Sequence, residues 1–151
     1  MKKRKEEIKK ELDSLKKKNQ YLKWSTFKSD DFYHLNQNKA EKILKNPKYF
    51  NEELKILDLS KTKYQVIDEF VFHSTNIKEI KLPKSLIIIA KYSFANNDIE
   101  VLDLSENKNL EIVEDYSFMH NNIKTFKKAP NIFLYTKKCL AYNPISISFK
   151  N

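Results

Sequence analysis

Residues 77–98 read IKEIKLPKSLIIIAKYSFANND, and this stretch decides the fold because its apolar pattern returns in the rows on either side of it. The preceding row is LKILDLSKTKYQVIDEFVFHSTN (54–76), and the following rows are IEVLDLSENKNLEIVEDYSFMHNN (99–122) and IKTFKKAPNIFLYTKKCLAYNP (123–144). The four rows are 23, 22, 24 and 22 residues long in chain order. A nearly fixed period of this size predicts a stacked solenoid.

Five apolar columns stay in register through the four rows. They are Leu54, Ile77, Ile99 and Ile123; Leu57, Ile80, Leu102 and Phe126; Leu59, Leu82 and Leu104, with Lys128 as the exception; Ile67, Ile89, Val113 and Tyr135; and Phe72, Phe94, Phe118 and Leu140. The spacing of the first three columns fits a short strand whose alternate side chains point inward. We expect the second column to lie side by side along one sheet, and the second half of each row to return as a turn or short strand.

The second and third rows resemble the BspA-like class of leucine-rich repeats, whose unit runs Leu-x-x-Ile-x-Leu-Pro-x-x-Leu-x-x-Ile-Gly-x-x-Ala-Phe. The matching residues are Ile77, Ile80, Leu82, Pro83, Leu86, Ile89 and Phe94 in the second row, and Ile99, Leu102, Leu104, Leu110, Val113 and Phe118 in the third. The four rows depart from the unit at its Gly (Asp68, Ala90, Glu114, Thr136) and at its Ala (Val71, Ser93, Ser117, Cys139). The resemblance covers about residues 54–145. It implies a non-enzymatic recognition scaffold of a class often found on bacterial surfaces and used for adhesion.

The predicted fold is therefore an α+β repeat, a short leucine-rich-repeat solenoid of about four rungs with an α-helical N-terminal cap. The cap takes residues 1–50, and the repeats take residues 51–151. The rungs are the four rows, followed by a partial strand at 145–149. That strand has no return half, so its outer edge is unpaired. We expect either a short cap strand or the interface of a symmetric homodimer there.

The N-terminal cap is predicted to hold two helices. Residues 1–24 place Ile8, Leu12, Leu15 and Leu22 at helical spacing among good helix formers. A second helix is expected from about Asp31 to Lys45, with Ser29, Asp30 and Asp31 as candidate caps and Asn46-Pro47 at its end. The first rung has an open apolar end that the aromatic residues of this region are expected to cover. These aromatic residues are Trp24, Phe27, Phe32, Tyr33, Tyr49 and Phe50.

Glycine is absent from the chain, and this constrains how the turns are made. Where the backbone needs a left-handed residue, Asn and Asp tolerate that conformation best after Gly. We therefore expect the polar residues at the row ends to turn the corners. They are Asn76, Asn96, Asn97, Asp98, Asn121, Asn122 and Asn143.

The outward positions of the predicted strands form the face that a solenoid usually offers to a partner. They make two columns, Ile56, Glu79, Val101 and Thr125, and beside them Asp58, Lys81, Asp103 and Lys127. Neighbouring strands lie about 4.8 Å apart, so the second column places opposite charges next to one another. This column is either a self-neutralising ladder, contributing roughly a few tenths of a kcal/mol per pair, or part of a mixed-charge protein-binding surface. Alternating signs suit nucleic acid poorly.

The net charge of +9 is concentrated near the N-terminus. Residues 1–24 hold ten Lys or Arg and four acidic residues, a net charge of +6 that leaves +3 for the rest of the chain. Residues 2–23 are therefore a candidate site for nucleic acid or an anionic membrane. A solvated cap helix, or a helix that pairs with a partner helix, explains the same lysines, so all three interpretations stay open.

Few residues favour catalysis or a bound cofactor. His34, His73 and His120 are far apart in the sequence, and a metal site needs more ligands than these. Cys139 shares a column with three small or aliphatic residues, which predicts a packed side chain, and a lone cysteine excludes an internal disulfide. The pair Asp58 and Ser60 recurs as Asp103 and Ser105, without a His at the same spacing. We expect no enzymatic activity, no metal and no cofactor.

The sequence shows neither a membrane-spanning segment nor a signal peptide. No run of about 18 apolar residues exists. The basic start MKKRKEEIKKELDSLKKK lacks the apolar region of a signal peptide. The expectation from the sequence is a cytoplasmic location by default.

Overall fold

The computed structural model of the chain describes residues 32–132 and 136–145. The chain divides into two compact units, Met1–Tyr33 and His34–Asn151. Only the last two residues of the first unit are described, so the predicted basic helix lies outside the described residues. Every described helix and strand belongs to the second unit.

Each row contributes one short strand to a front face. These strands are β3 (Ile56–Asp58), β5 (Glu79–Lys81), β7 (Val101–Asp103) and β9 (Thr125–Lys127). Each has an apolar residue of the second column at its centre and exposed or half-buried residues on both sides. The strands pair in parallel, β3 with β5 and β7 with β9, while β2 (Phe50–Asn51) pairs antiparallel with β3.

The second half of each of the first three rows returns through a continuous back sheet, which a strand from before the first row extends. It consists of four parallel two-residue strands in the order β1 (His34–Leu35), β4 (Val66–Ile67), β6 (Ile88–Ile89) and β8 (Ile112–Val113). Both residues of β4, β6 and β8 are buried. Front and back strands alternate along the chain, so the described residues form three complete rungs and the front strand of a fourth. The solenoid predicted from the repeats is confirmed.

The helix expected before the first rung begins later than its sequence pattern indicated. Helix α1 spans Gln37–Leu44 and buries Ala40 and Ile43. Its N-cap is Asn36, whose side chain accepts a hydrogen bond of 2.9 Å from the Lys39 N–H. The three capping residues expected upstream are therefore wrong for this helix, because residues 34–35 are used by β1 in the back sheet. A short 3-10 helix, Lys137–Leu140, follows in the fourth row.

The predicted apolar columns form most of the core. Ile77, Ile99 and Ile123 are completely buried. The phenylalanine column packs as a stack, with ring centroids 5.4 Å apart from Phe72 to Phe94 and 5.2 Å apart from Phe94 to Phe118. The segment before the first rung adds Leu35, Phe50 and the buried face of α1 to the same core.

Two members of the expected columns and several cap aromatics behave differently or are not described. Leu54 is 56% exposed because it lies in the turn that joins antiparallel β2 to β3. Tyr49 packs against the core beside Phe50, as expected of residues that cover the first rung. Tyr135, Trp24 and Phe27 lie outside the described residues.

Most left-handed turn positions are occupied by residues that the sequence did not indicate. Of the expected Asn and Asp residues, only Asn76 and Asn96 have a positive φ, 59° and 58°. The other left-handed residues are Lys55, Phe70, Ser74, Tyr92, Tyr116, His120 and Tyr142. The expectation that Asn turns every corner is therefore wrong. A left-handed conformation costs a non-glycine residue about 1–2 kcal/mol, and here the packing between rungs offsets that cost.

Three of the remaining row-end asparagines, Asn97, Asn121 and Asn143, bridge rungs with their side chains. The Asn97 Oδ1 accepts hydrogen bonds from the N–H groups of Thr75 and Ile77, at 3.1 and 3.0 Å, and its Nδ2 donates to the Phe72 and Phe94 carbonyls at 2.8 and 3.0 Å. One and two rungs further on, Asn121 and Asn143 donate to two carbonyls in the same way, and the Oδ1 of each accepts from one N–H group, that of Ile99 or Ile123. A buried amide that uses both its oxygen and its nitrogen replaces backbone pairing where the chain turns.

Candidate functional site

The eight outward residues expected to bind a partner lie in two blocks of the front face. In the first block Ile56 pairs with Glu79 and Asp58 with Lys81; in the second Val101 pairs with Thr125 and Asp103 with Lys127. Ile56 and Asp58 are half-buried, and the other six are exposed. The alternation of opposite charges within each block follows the sequence expectation. Whether these residues bind a partner stays a prediction.

The expectation of one continuous front sheet is wrong. β5 and β7 belong to different sheets, so Leu57 lies beside Ile80, and Leu102 lies beside Phe126, in two separate pairs. A cleft of about 430 Å³ opens where the two blocks meet. It is lined by Lys78, Glu79, Ile80, Glu100, Val101 and Asp103. A neighbouring cleft of about 280 Å³ continues past Ile80 to Leu82 and Asn107.

The opening is confined to the front of the molecule. Behind it β6 and β8 pair in parallel in the back sheet. The Asp98 N–H donates to the Ile77 carbonyl at 2.8 Å just before the two front strands diverge. Both rows carry the same apolar strand pattern, so the sequence contains no signal for this separation.

Two aspartates of the front face are fixed by the serines that follow them. The Ser105 hydroxyl and N–H donate to Asp103 Oδ1 at 2.6 and 2.9 Å, and Ser60 makes the same two bonds to Asp58. These bonds hold the pKa of each carboxyl group below its ordinary value of 3.8, and the bond from the serine hydroxyl has the largest effect. Both carboxylates are therefore charged at neutral pH. The repeated Asp-Leu-Ser sequence begins the turn after β3 and the turn after β7.

The ion pairs of the face are weak individually. Lys127 Nζ lies 4.0 Å from Asp103 Oδ2, with the two side chains 64% and 43% exposed. Exposed pairs of this kind contribute about 0–1 kcal/mol. Their charges remain available to a partner because little of the surrounding water has been excluded.

An aromatic ridge runs along the turns that follow the back sheet. Phe70, Tyr92 and Tyr116 stack with centroids 4.8 and 5.4 Å apart, and their φ angles are 65°, 59° and 64°. The sequence carries this signal, because an aromatic residue stands two positions before the phenylalanine column in three rows. The rings cover each other's faces, so the ridge presents ring edges to solvent.

The histidines and the cysteine have separate surroundings. His34 Nδ1 lies 2.6 Å from Asp68 Oδ1, His73 meets the Phe70 ring edge-on, and His120 stacks on Tyr142 at 4.5 Å. Burial raises the pKa of the Cys139 thiol to about 12, so the thiol stays protonated. Within the described ranges, no group of three or more His, Cys, Asp or Glu is arranged to hold a metal ion.

Comparisons with known proteins give one match that spans most of the chain. A family model described as BspA type Leucine rich repeat region, with 6 copies, matches residues 41–149. The match begins inside α1 and continues through every front strand. No curated protein and no solved structure matches the chain. Over the part of the chain that is described, no helix has the length and apolar character needed to cross a membrane.

Proposed function

Because this chain belongs to the BspA-type leucine-rich repeat family, we propose that it is a non-enzymatic module that binds a partner protein through its front face. Repeats of this family are commonly used in protein interactions. The proposed binding residues are the eight outward residues of the two blocks. Attachment to another protein at a bacterial surface, an adhesive role, is the form of recognition that the family suggests.

The observation that carries this proposal is the exposure of the front strands. Each three-residue strand turns its first and last side chains outward, and Val101 is 55% exposed between charged neighbours. An exposed aliphatic residue within a mixed-charge field suits a protein surface, since apolar burial supplies affinity and charge pairing supplies specificity. Alternating charges disfavour nucleic acid on this face, because their fields cancel at a row of phosphates.

A charge exchange on the front face tests the proposal. The double variant Glu79→Lys, Lys81→Glu keeps the net charge and reverses two adjacent side chains of β5. The intact chain and the variant are each used for capture from an extract of the native host. We expect a partner that the intact chain retains to be lost from the variant, because like charges then oppose each other at the interface.

A matched exchange on α1 serves as the control. Glu41→Lys, Lys45→Glu also swaps one acid and one base, at two exposed positions outside the front face. Partner capture that survives the front-face exchange, or that both exchanges abolish equally, contradicts the proposal. Circular dichroism of the three proteins establishes that the fold is the same in each.

The charge of the first segment favours a second candidate function, the binding of an anionic membrane or nucleic acid through residues 2–23. This candidate depends on the +6 net charge of residues 1–24. Deleting residues 1–23 should then abolish an association that weakens steeply with salt, because released counterions drive such binding. Anionic vesicles and duplex DNA, each titrated at two salt concentrations, distinguish the two ligands. Equal association with and without the segment contradicts this function.

A further inference from the structure

The two front strands that border the cleft have backbone edges without partners. In parallel strands, successive residues form hydrogen bonds to opposite neighbours. The Lys81 carbonyl accepts from the Leu59 N–H at 2.8 Å, and the Leu104 N–H donates to the Lys127 carbonyl at 2.9 Å. Lys81 and Leu104 therefore bond away from the cleft, towards β3 and β9.

The residues that alternate with Lys81 and Leu104 along the two strands direct their backbone groups into the cleft. By the same alternation these are Ile80 on β5, and Val101 and Asp103 on β7. Within residues 32–132 and 136–145, no hydrogen bond joins β5 to β7. A row of unpaired N–H and C=O groups is a template for another strand. Here two such rows face each other across one opening.

The side chains around the opening divide by charge. The β5 side carries Lys78, Lys81 and Lys84 with one acid, Glu79, and is basic on balance, whereas the β7 side carries Glu100, Asp103 and Glu106. Ile80 and Leu82 lie half-buried at the cleft, beside the apolar core. The cleft therefore has a basic wall, an acidic wall and apolar side chains towards the interior.

We propose that this cleft binds an extended segment of a partner protein, which forms backbone hydrogen bonds with Ile80 on one wall and with Val101 and Asp103 on the other. The inference rests on the proposed function and gives the binding mode and the class of ligand. Strand addition of this kind obtains affinity from main-chain hydrogen bonds and specificity from alternate side chains. The segment joins the two halves of the front face into one sheet.

The surroundings of the cleft define the sequence of the segment. Its inward residues lie between Ile80 and Leu102, so they are apolar. Its outward residues lie between the basic and acidic walls, so a segment with one acidic and one basic outward side chain matches both. The ligand class is therefore an amphipathic strand in which aliphatic residues alternate with charged residues of both signs.

Amide hydrogen exchange of the free chain tests whether the backbone edges are open. The amides of Ile80, Val101 and Asp103 should exchange at least about tenfold faster than those of Lys81, Leu102 and Leu104 on the same strands. Equal protection of the two sets overturns the proposal, since it means that β5 and β7 are paired. Protection that rises with protein concentration also overturns it, because the occupant is then a second copy of the chain.

A displayed peptide library tests the ligand. Its segments of about six residues, the usual strand length, alternate Val, Ile or Leu with Lys, Glu or Thr. Val101→Pro removes the N–H that faces the cleft and leaves the Leu102 and Leu104 bonds to β9 in place, while Val101→Ala keeps the N–H and serves as the matched control. We expect the best segment to bind Val101→Pro at least about tenfold more weakly than Val101→Ala, and to protect the three amides.

The remaining outcomes decide between this inference and the proposed function. A library without any binder overturns the inference. So does a segment that binds equally when its alternate amides are N-methylated, because its backbone then makes no pairing bonds. If the Glu79→Lys, Lys81→Glu exchange abolishes capture of a natural partner that Val101→Pro retains, the front face recognises protein but the cleft does not. The proposed function then stands and the inference fails.

Discussion

The back of the solenoid and its front face are built from the same repeats, yet only the back is continuous. β1, β4, β6 and β8 form one parallel sheet, and the phenylalanine stack and the bridging asparagines lie next to it. The front strands form two sheets with a cleft between them. The comparison indicates that the back holds the rungs together, and that the front strands can separate without loss of the core. Stability is therefore assigned to the back of each rung, and the recognition that we propose is assigned to the front.

The variant predicted to have the largest effect removes the central ring of the phenylalanine stack, that of Phe94. Phe94→Ala should lower the free energy of unfolding by about 3–5 kcal/mol, because it leaves a cavity between Phe72 and Phe118. Urea unfolding followed by circular dichroism measures the change. The front variant Val101→Ala, at a position 55% exposed, is the control and should change the stability by less than about 0.5 kcal/mol. Similar losses of unfolding free energy from both variants would contradict the conclusion that the back holds the rungs together.

The second test removes a bridge between rungs. Asn97→Ala should lower the free energy of unfolding by about 3 kcal/mol, since the N–H groups of Thr75 and Ile77 and the carbonyl of Phe72 lose their buried partner. Asn109→Ala is the control, because Asn109 is exposed and its amide donates to one carbonyl, that of Lys84, at 2.8 Å. If the two variants unfold at the same urea concentration, the asparagine bridges do not hold the rungs together.

The third test strengthens the back. The hydroxyls of Ser93 and Ser117 are buried without a hydrogen-bond partner among the described residues. Replacing either serine by alanine removes the cost of desolvating the hydroxyl and should raise the free energy of unfolding by about 1 kcal/mol. Ser105→Ala, which removes an exposed hydroxyl bonded to Asp103, provides a contrast because it should not stabilise the protein. A higher melting temperature for the first two variants alone confirms the prediction.

The smallest expected effect on stability comes from the Asp103–Ser105 hydrogen bonds on the front face, and it depends on pH. The pKa of Asp103 lies below 3.8 in the folded chain because of its bonds to Ser105. A lowered folded pKa means that these bonds stabilise the protein fully above pH 3.8 and are lost as the pH falls through the folded pKa. The difference between the urea midpoints of the wild type and Ser105→Ala should therefore shrink as the pH falls from about 6 to below the folded pKa of Asp103. A difference that persists there would mean that the hydroxyl acts through packing.

Much of the core was predictable because it depends on the period of the sequence. The columns of Ile77, Phe94 and their equivalents recur at a fixed spacing, and only the interior of a solenoid explains that recurrence. The exposure of Leu54 was not predictable, because the hairpin before β3 takes that residue out of the first column's position. The cap of α1 was mislocated because β1 precedes the helix and a two-residue strand leaves no periodic signal.

The candidate site was predictable only in part. Alternation along each strand placed Glu79, Lys81, Val101 and Asp103 on the outward side, and the register of the strands agrees. A cleft separates Glu79 and Lys81 on β5 from Val101 and Asp103 on β7. The sequence does not predict this cleft, since rows two and three repeat the same strand pattern. Whether adjacent strands pair depends on how whole rungs stack, and a single row does not encode it.

By itself, the sequence determined that this protein is a solenoid, which residues fill most of its interior, and which side chains of each front strand point outward. These properties follow from periodicity, which is local to each row and repeated in every row. Only the tertiary structure decided which residues make the left-handed turns, which asparagines bridge rungs, and where the front face opens. Each of these depends on contacts between rungs about 22 residues apart along the chain, where the geometry of stacking, and not the preference of a single residue, selects the conformation.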